Sequence, residues 1–119
     1  MNNPEDPALH IACLCAAWCR TCESYGRVFE SVLAALRVEH PGLRMRWIDI
    51  EDEAELVGDY DVETFPTLVV TDARGVLFAG ALTPQPQTLR RVLDAALALP
   101  RATPQPPAVE AFARRLRRT

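Results

Sequence analysis

Apolar and polar residues follow one another along the chain with a changing period, and each change marks a predicted element. Residues 9–16 (LHIACLCA) form a short apolar run that predicts a buried strand. Across residues 20–39 the apolar positions recur at steps of three and four, which is typical of an amphipathic helix. Residues 43–50 (LRMRWIDI) alternate apolar and polar side chains and predict a second strand, and the acidic residues 51–59 predict a short helix.

The second half of the chain predicts a hairpin and then a long helix. Residues 67–71 (TLVVT) are apolar and β-branched, residues 72–75 (DARG) form a turn, and residues 76–81 return as an antiparallel strand. Residues 84–99 predict a helix with one apolar face, formed by Leu89, Val92, Leu93, Ala96 and Leu97. The order β-α-β-α-β-β-α predicts an α/β domain whose first two strands are parallel, with the hairpin at one edge of the sheet.

The end of the chain differs from the rest in composition. Residues 100–107 are rich in proline and predict an extended linker, and residues 108–119 predict a basic amphipathic helix. That helix either docks on the body, with its arginines meeting the acids of residues 49–63, or stays free to bind an acidic partner or an anionic membrane surface. Docking is favoured because a helix of about ten residues is marginal alone.

The size and charge of the chain limit the kinds of protein that it can be. A chain of 119 residues with 49% hydrophobic residues predicts one compact domain, and no apolar run approaches the length of a membrane span. Residues 1–6 (MNNPED) contain neither a basic nor a long apolar segment, which predicts a cytoplasmic location. The acidic residues concentrate in the body, so we expect no nucleic-acid partner there.

Two of the four cysteines form a C-x-x-C pair at the start of the first predicted helix. Cys19 and Cys22 therefore face the same side, and a Cα separation of roughly 5–6 Å in that turn is compatible with a disulfide. The unpaired N–H groups and the dipole of the helix favour a thiolate at Cys19, and Arg20 adds a nearby cation. We expect Cys19 to be the nucleophile and Cys22, one turn deeper, to be the resolving thiol.

The other two cysteines leave alternatives open. A C-x-x-C pair also occurs in zinc sites, which need two further ligands. Cys13 and Cys15 lie in the strand that leads into the motif and do not easily fold back onto it, so we predict no metal. They share one face of the strand at a spacing too long for a mutual disulfide. We interpret them as small core residues, with the alternative that a thiol below Cys22 modulates it.

Two motifs and two glycines of the chain resemble the thioredoxin family. Residues 16–22 (AAWCRTC) resemble its active-site segment, and Phe65-Pro66-Thr67 resembles its second hallmark, a cis proline against the active-site disulfide. Gly75 is similar to its hairpin glycine, and Gly80 to the glycine of its substrate-facing loop. The resemblance covers about residues 8–99. It implies a thioredoxin-like domain at 1–99, with the linker at 100–107 and the helix at 108–119 as additions.

The implied fold is a three-layer α/β/α arrangement around a mixed sheet. Thioredoxins carry a further strand and helix before the active site, and only 18 residues precede Cys19, so we expect a trimmed sheet of four strands. The family's buried acid corresponds to Cys13 and its partner lysine to about Trp47. Both of the family's proton-handling groups are therefore replaced in this sequence.

The resemblance also implies a function, that of a thiol–disulfide oxidoreductase in redox homeostasis and electron transport. Cys19 would attack a disulfide of a partner protein, and Cys22 would release the partner and leave a redox-active Cys19–Cys22 disulfide without added cofactor. The expected partners are proteins with disulfides and an unidentified reductase that donates electrons to a monomer. The residues expected to support the site and form the substrate groove are Trp18, Arg20, Thr21, Phe65, Pro66 and Gly80.

Two points stay open at this stage. Phe65 is either a wall that selects substrates or a core residue, since aromatic side chains serve both uses. The alternative function is a binding or chaperone module of the same fold, which uses its groove and arginine-rich tail and has weak redox turnover. Two cysteines at the motif favour the enzyme, because a binding module needs no resolving thiol.

Overall fold

A computed structural model describes residues 9–83 and 85–118 of the chain. Its elements are β1 (His10–Cys15), α1 (Arg20–Glu39), β2 (Arg44–Asp49), α2 (Ala54–Val57), β3 (Thr67–Asp72), β4 (Gly75–Ala81), α3 (Pro86–Leu97) and α4 (Pro107–Arg117). Within these residues, none of the helices combines the length and the apolar character needed to cross a membrane.

The four strands form one mixed sheet in the order β2-β1-β3-β4. β1 pairs in parallel with β2 and antiparallel with β3, and β3 and β4 form an antiparallel hairpin. Gly75 opens β4 with a φ of 128°, a conformation that glycine adopts readily, so the tight turn depends on this residue. The predicted element order and the four-stranded α/β fold are confirmed.

The alternation of side chains along the sheet separates two cores. Ile11, Cys13 and Cys15 point to the face that α1 and α3 cover, and they share a core with Phe29 and Leu93.

Ala12 and Leu14 point to the opposite face, where they pack with Val57 of α2 and with Phe112 and Leu116 of α4. Both faces of β1 are therefore buried, which explains why its sequence is a continuous apolar run.

Helix α4 is docked on the body, which was the arrangement that we favoured because so short a helix is marginally stable alone. Phe112 is fully buried in the second core. The Arg115 guanidinium donates hydrogen bonds to the carbonyls of Leu56 (2.7 Å) and Val57 (3.0 Å) at the end of α2. Arg117 donates to the Thr71 hydroxyl at 2.6 Å.

The prediction that these arginines contact the acids of residues 49–63 was wrong. Among the described residues, no ion pair joins α4 to that segment. The physical reason is that the last carbonyls of a helix lack partners within it and carry partial negative charge. Arg115 meets these backbone acceptors, while acids such as Glu51 and Asp52 remain exposed to solvent.

Candidate active site

The candidate site forms where β1 passes into α1. The backbone N–H of Cys19 donates to the carbonyl of Ala16 at 3.0 Å, which closes a tight turn after the strand. Cys19 is the N-cap residue of α1, with an extended backbone, and its carbonyl accepts the N–H of Glu23 at 3.2 Å. Its thiol is free and half-buried. The structure thus places this sulfur at the positive end of a long helix, within reach of solvent.

The disulfide of the structure joins Cys22 to Cys15, not to Cys19. The Cα atoms of Cys15 and Cys22 are 5.9 Å apart, and both residues are buried. The reason lies in two periodicities, because the helix turns Cys22 toward the sheet and the alternation of β1 points Cys15 toward the helix. The sequence interpretation of Cys15 as a core residue without a bond was therefore wrong, although its burial was correct.

Cys13 lies below this disulfide on the same face of β1. Its Sγ atom is 3.9 Å from the Sγ atom of Cys15. Burial raises the pKa of the Cys13 thiol to about 12, so this residue stays protonated at neutral pH. Burial first, and the charge of Cys13 second, raise the pKa of Tyr25, whose buried hydroxyl has no hydrogen-bond partner within the described residues.

An aromatic pair forms one flank of the cysteine motif. Trp18 is 68% exposed and meets the ring of Phe65 edge to face, with 5.5 Å between the ring centroids. The Phe65–Pro66 peptide bond is cis, as the resemblance implied, and Pro66 is buried. Phe65 is half-buried and also packs against the first core, so it serves both of the uses that the sequence left open.

The remaining predicted site residues have simpler surroundings. Arg20 and Thr21 are exposed on the first turn of α1, beside Cys19. Gly80 lies within β4, paired with Leu68 of β3, rather than in a loop. A Cβ atom at Gly80 would come within 3.3 Å of the Phe78 ring, so the small residue leaves room for that ring.

A cleft of about 500 Å³ forms the other flank, between α1 and β2. Cys19 and Cys22 lie on its wall together with Trp47, and the acidic side chains that line it are Glu23, Glu30 and Asp49. Trp47 is 37% exposed and packs edge to face on Phe29, with 5.8 Å between centroids.

Sequence reasoning missed this cleft, although the parallel pairing of the first two strands could have indicated it. In the observed register Cys13 lies beside Trp47, and Cys15 beside Asp49. Paired residues on neighbouring strands point to the same side, so Trp47 and Asp49 must face α1. Within the part of the chain that the structure describes, no group of three or more His, Cys, Asp or Glu side chains is arranged to hold a metal ion.

The sequence profile of the family described as Thioredoxin matches residues 5–89, well over half of the chain. The chain belongs to the thioredoxin family. No curated protein matches the sequence significantly.

Solved thioredoxins share the fold with this family member at low sequence identity. The thioredoxin of Trypanosoma brucei brucei is 24% identical, with coverage of 75% of this chain and 74% of its own and a TM-score of 0.58. The germline-specific thioredoxin Deadhead of Drosophila melanogaster is 23% identical, with coverage of 72% and 78% and a TM-score of 0.56. A mutant thioredoxin of Halobacterium salinarum is 21% identical, with coverage of 77% of each chain and a TM-score of 0.59.

A thioredoxin-family domain with a bonded cysteine pair where β1 passes into α1 supports thiol–disulfide oxidoreductase activity in general. The bond between Cys15 and Cys22 spans the junction of β1 and α1. Cys19, the first cysteine of the family's motif, is left as the accessible thiol.

Proposed function

We propose that the protein reduces or exchanges disulfides of partner proteins through Cys19 and Cys22. The observation that carries this proposal is the position of the free, half-buried Cys19 at the N-terminus of α1, three residues before the buried Cys22. The first thiol is open to a large partner, and the second is shielded from it. Attack on a partner's disulfide requires an accessible thiol, and resolution of the mixed disulfide requires a second thiol close to the first.

The reaction begins with the form in which both thiols are reduced. The Cys19 thiolate attacks one sulfur of the partner's disulfide, and the other sulfur leaves as a thiolate that takes up a proton. Cys22 then loses its proton and attacks the Sγ atom of Cys19, which releases the second thiol of the partner. Two electrons have passed to the partner, and Cys19 and Cys22 share a disulfide.

The aromatic flank supports binding of an extended partner segment. Trp18 offers a largely exposed ring held edge to face by Phe65, and such rings contribute contact area with few rotatable bonds. Arg20, which is exposed and follows Cys19 directly in the chain, adds a positive charge to the segment that presents the attacking sulfur.

The test is reduction of insulin by dithiothreitol, followed by turbidity, with wild-type protein and Cys19→Ser. We expect the variant to lose the acceleration, since the attacking sulfur is gone. Cys13→Ala is the matched control, because its thiol is buried and protonated, and it should retain the wild-type rate. In Cys22→Ser a mixed disulfide with insulin should accumulate on non-reducing gels. A wild-type rate in Cys19→Ser contradicts the proposal.

The cellular setting belongs to the same proposal. The protein acts as a monomer in the cytoplasm, in redox homeostasis and electron transport, with no cofactor beyond its own cysteines. Cytoplasmic thiols are kept reduced, and a reductase there would return the protein to the dithiol form. Cell fractionation and size-exclusion chromatography test the two statements. The alternative is a binding or chaperone module that uses its groove and arginine-rich tail, and the tail offers it less surface because the apolar face of α4 is buried on the sheet.

A further inference from the structure

Cys22 has two other cysteines nearby in the chain. It is bonded to Cys15 across the junction of β1 and α1, with 5.9 Å between their Cα atoms. Cys19 lies three residues before it, one helical turn away at the N-cap. A cysteine with a neighbour on each side can hold its disulfide with either one.

We propose that Cys15 is a third redox-active cysteine, which takes over the disulfide from Cys19, so that the oxidised protein holds a Cys15–Cys22 bond and a free Cys19. This rests on the proposed function, because the bond that is transferred is the one made when Cys22 resolves the mixed disulfide.

The transfer is a thiol–disulfide exchange within the protein and needs no outside oxidant. The Cys15 thiolate attacks the Sγ atom of Cys22, the Cys19–Cys22 bond breaks and the Cys15–Cys22 bond forms. Cys19 leaves as a thiolate and takes up the proton that Cys15 gave up. Cys15 is oxidised and Cys19 is reduced, so the number of disulfides stays at one.

Burial determines which of the three sulfurs a partner protein can reach. Cys15 is 1% exposed and Cys22 is 2% exposed, whereas Cys19 is half-buried. A partner protein therefore reaches the buried pair only through the Cys19 sulfur. The Sγ atom of Cys13 is 3.9 Å from that of Cys15, but Cys13 remains a free thiol in the structure, and the partner of Cys22 is Cys15.

The proposal has a consequence for partner release. In the reduced protein, Cys22 is a free thiol and releases a partner captured by Cys19. In the oxidised protein, Cys19 is still a nucleophile while Cys22 is occupied by Cys15, so a captured partner stays bound as a mixed disulfide. The redox state of the buried pair thus sets whether the protein turns over or retains its partner.

The decisive experiment maps the disulfide of the full-length wild-type protein after oxidation by insulin. Free thiols are blocked with N-ethylmaleimide, and trypsin with chymotrypsin cleaves after Arg20 and Trp18, which separates all three cysteines into different peptides. We expect Cys19 to carry either maleimide or a disulfide to insulin, and the peptides of Cys15 and Cys22 to be cross-linked to each other. A cross-link between Cys19 and Cys22, with Cys15 labelled only after unfolding, overturns the proposal.

Variants test the route and the consequence. Cys15→Ser should show only the Cys19–Cys22 bond and lose retention of insulin by the oxidised protein, while Cys13→Ala keeps the wild-type map. In Cys19→Ser, formation of the Cys15–Cys22 bond by insulin should slow by about tenfold or more, because the accessible sulfur is missing. An unchanged rate in that variant refutes the transfer.

The same samples separate this proposal from the proposed function. If Cys19→Ser abolishes insulin reduction while the wild-type map shows a Cys19–Cys22 bond, the proposed function holds and the third redox cysteine is refuted. If Cys19→Ser reduces insulin at the wild-type rate, the proposed function itself fails.

Discussion

The contact of Arg115 with the end of α2 provides a sharp test of how α4 is held. Arg115 donates two hydrogen bonds to the Leu56 and Val57 carbonyls, and Val57 is buried. Arg115→Met keeps most of the aliphatic stem and helix propensity but removes the guanidinium. Hydrogen bonds from charged donors contribute about 1.5–3 kcal/mol, so we expect a loss of about 2 kcal/mol in the free energy of unfolding.

Urea unfolding followed by circular dichroism measures this loss. With a urea dependence of about 1.5–2 kcal/mol per molar, the midpoint should fall by about 1 M. Arg114→Met is the matched control, since that side chain precedes Arg115 directly and is exposed, and its midpoint should change by less than about a quarter of that shift.

Gly58 supplies the second arm of the test. Its φ of 61° is unfavourable for other residues, and a Cβ atom there would collide with the Arg115 guanidinium. Gly58→Ala should therefore cost backbone strain of about 1–3 kcal/mol and also break the arginine's hydrogen bonds. In an Arg115→Met background only the strain remains, so the double variant should be more stable than the sum of single losses predicts. Additivity within about 0.5 kcal/mol refutes this packing of α4.

Three further predictions follow from burial in the structure. Phe112→Ala should lower the free energy of unfolding by about 3–4 kcal/mol in urea titrations, and Phe112→Leu by clearly less, since the leucine refills part of the cavity. The raised pKa of Cys13 means that its thiol ionises at about 9.0 when unfolded but not when folded, so stability falls as pH rises above 9.0. The measurement uses a Cys19→Ser background, which blocks exchange by the accessible thiol. Between about pH 7 and about pH 10 the Cys13 thiol should lower the free energy of unfolding by about 1.4 kcal/mol, and Cys13→Ala should remove this pH dependence. Trp18→Ala should raise KM for insulin several-fold with little loss of stability, because the ring is exposed apart from its contact with Phe65; an unchanged KM counts against the aromatic flank as a substrate surface.

The elements that local periodicity determines were predictable from the sequence. The helix predicted at residues 20–39 is observed as Arg20–Glu39, because its apolar stripe is long and His40-Pro41 ends it. The hairpin around Gly75 follows from a short turn between two apolar runs. By contrast, the predicted helix over residues 51–59 forms only as Ala54–Val57, since its sequence carries few apolar residues to hold further turns.

Contacts between distant segments were beyond a reading of the sequence alone. Charge patterning predicted arginine–carboxylate contacts for α4, but it carries no information about which backbone carbonyls are free at the end of a short helix. The parallel pairing of β1 and β2 could have indicated the cleft beside Cys19, but the residues that line it depend on the register of Cys15 with Asp49, which the two separate strand patterns do not define.

The bond between Cys15 and Cys22 follows from two local periodicities that have to be combined, that of the strand and that of the helix. The alternation of β1 puts Cys15 on the face covered by α1, and the helical period puts Cys22 on the face of α1 toward the sheet. The spacing of Cys13 and Cys15 along β1 excludes a bond between these two residues, but it does not by itself bring Cys15 to Cys22 on the following helix. Combining the two rules brings three cysteines of one connection together, because the turn closed by Cys19 and Ala16 folds α1 directly back over the end of β1. A C-x-x-C motif that follows a strand with a cysteine on its helix-facing side therefore contains a possible third partner, and its disulfide must be located by experiment rather than assigned by spacing.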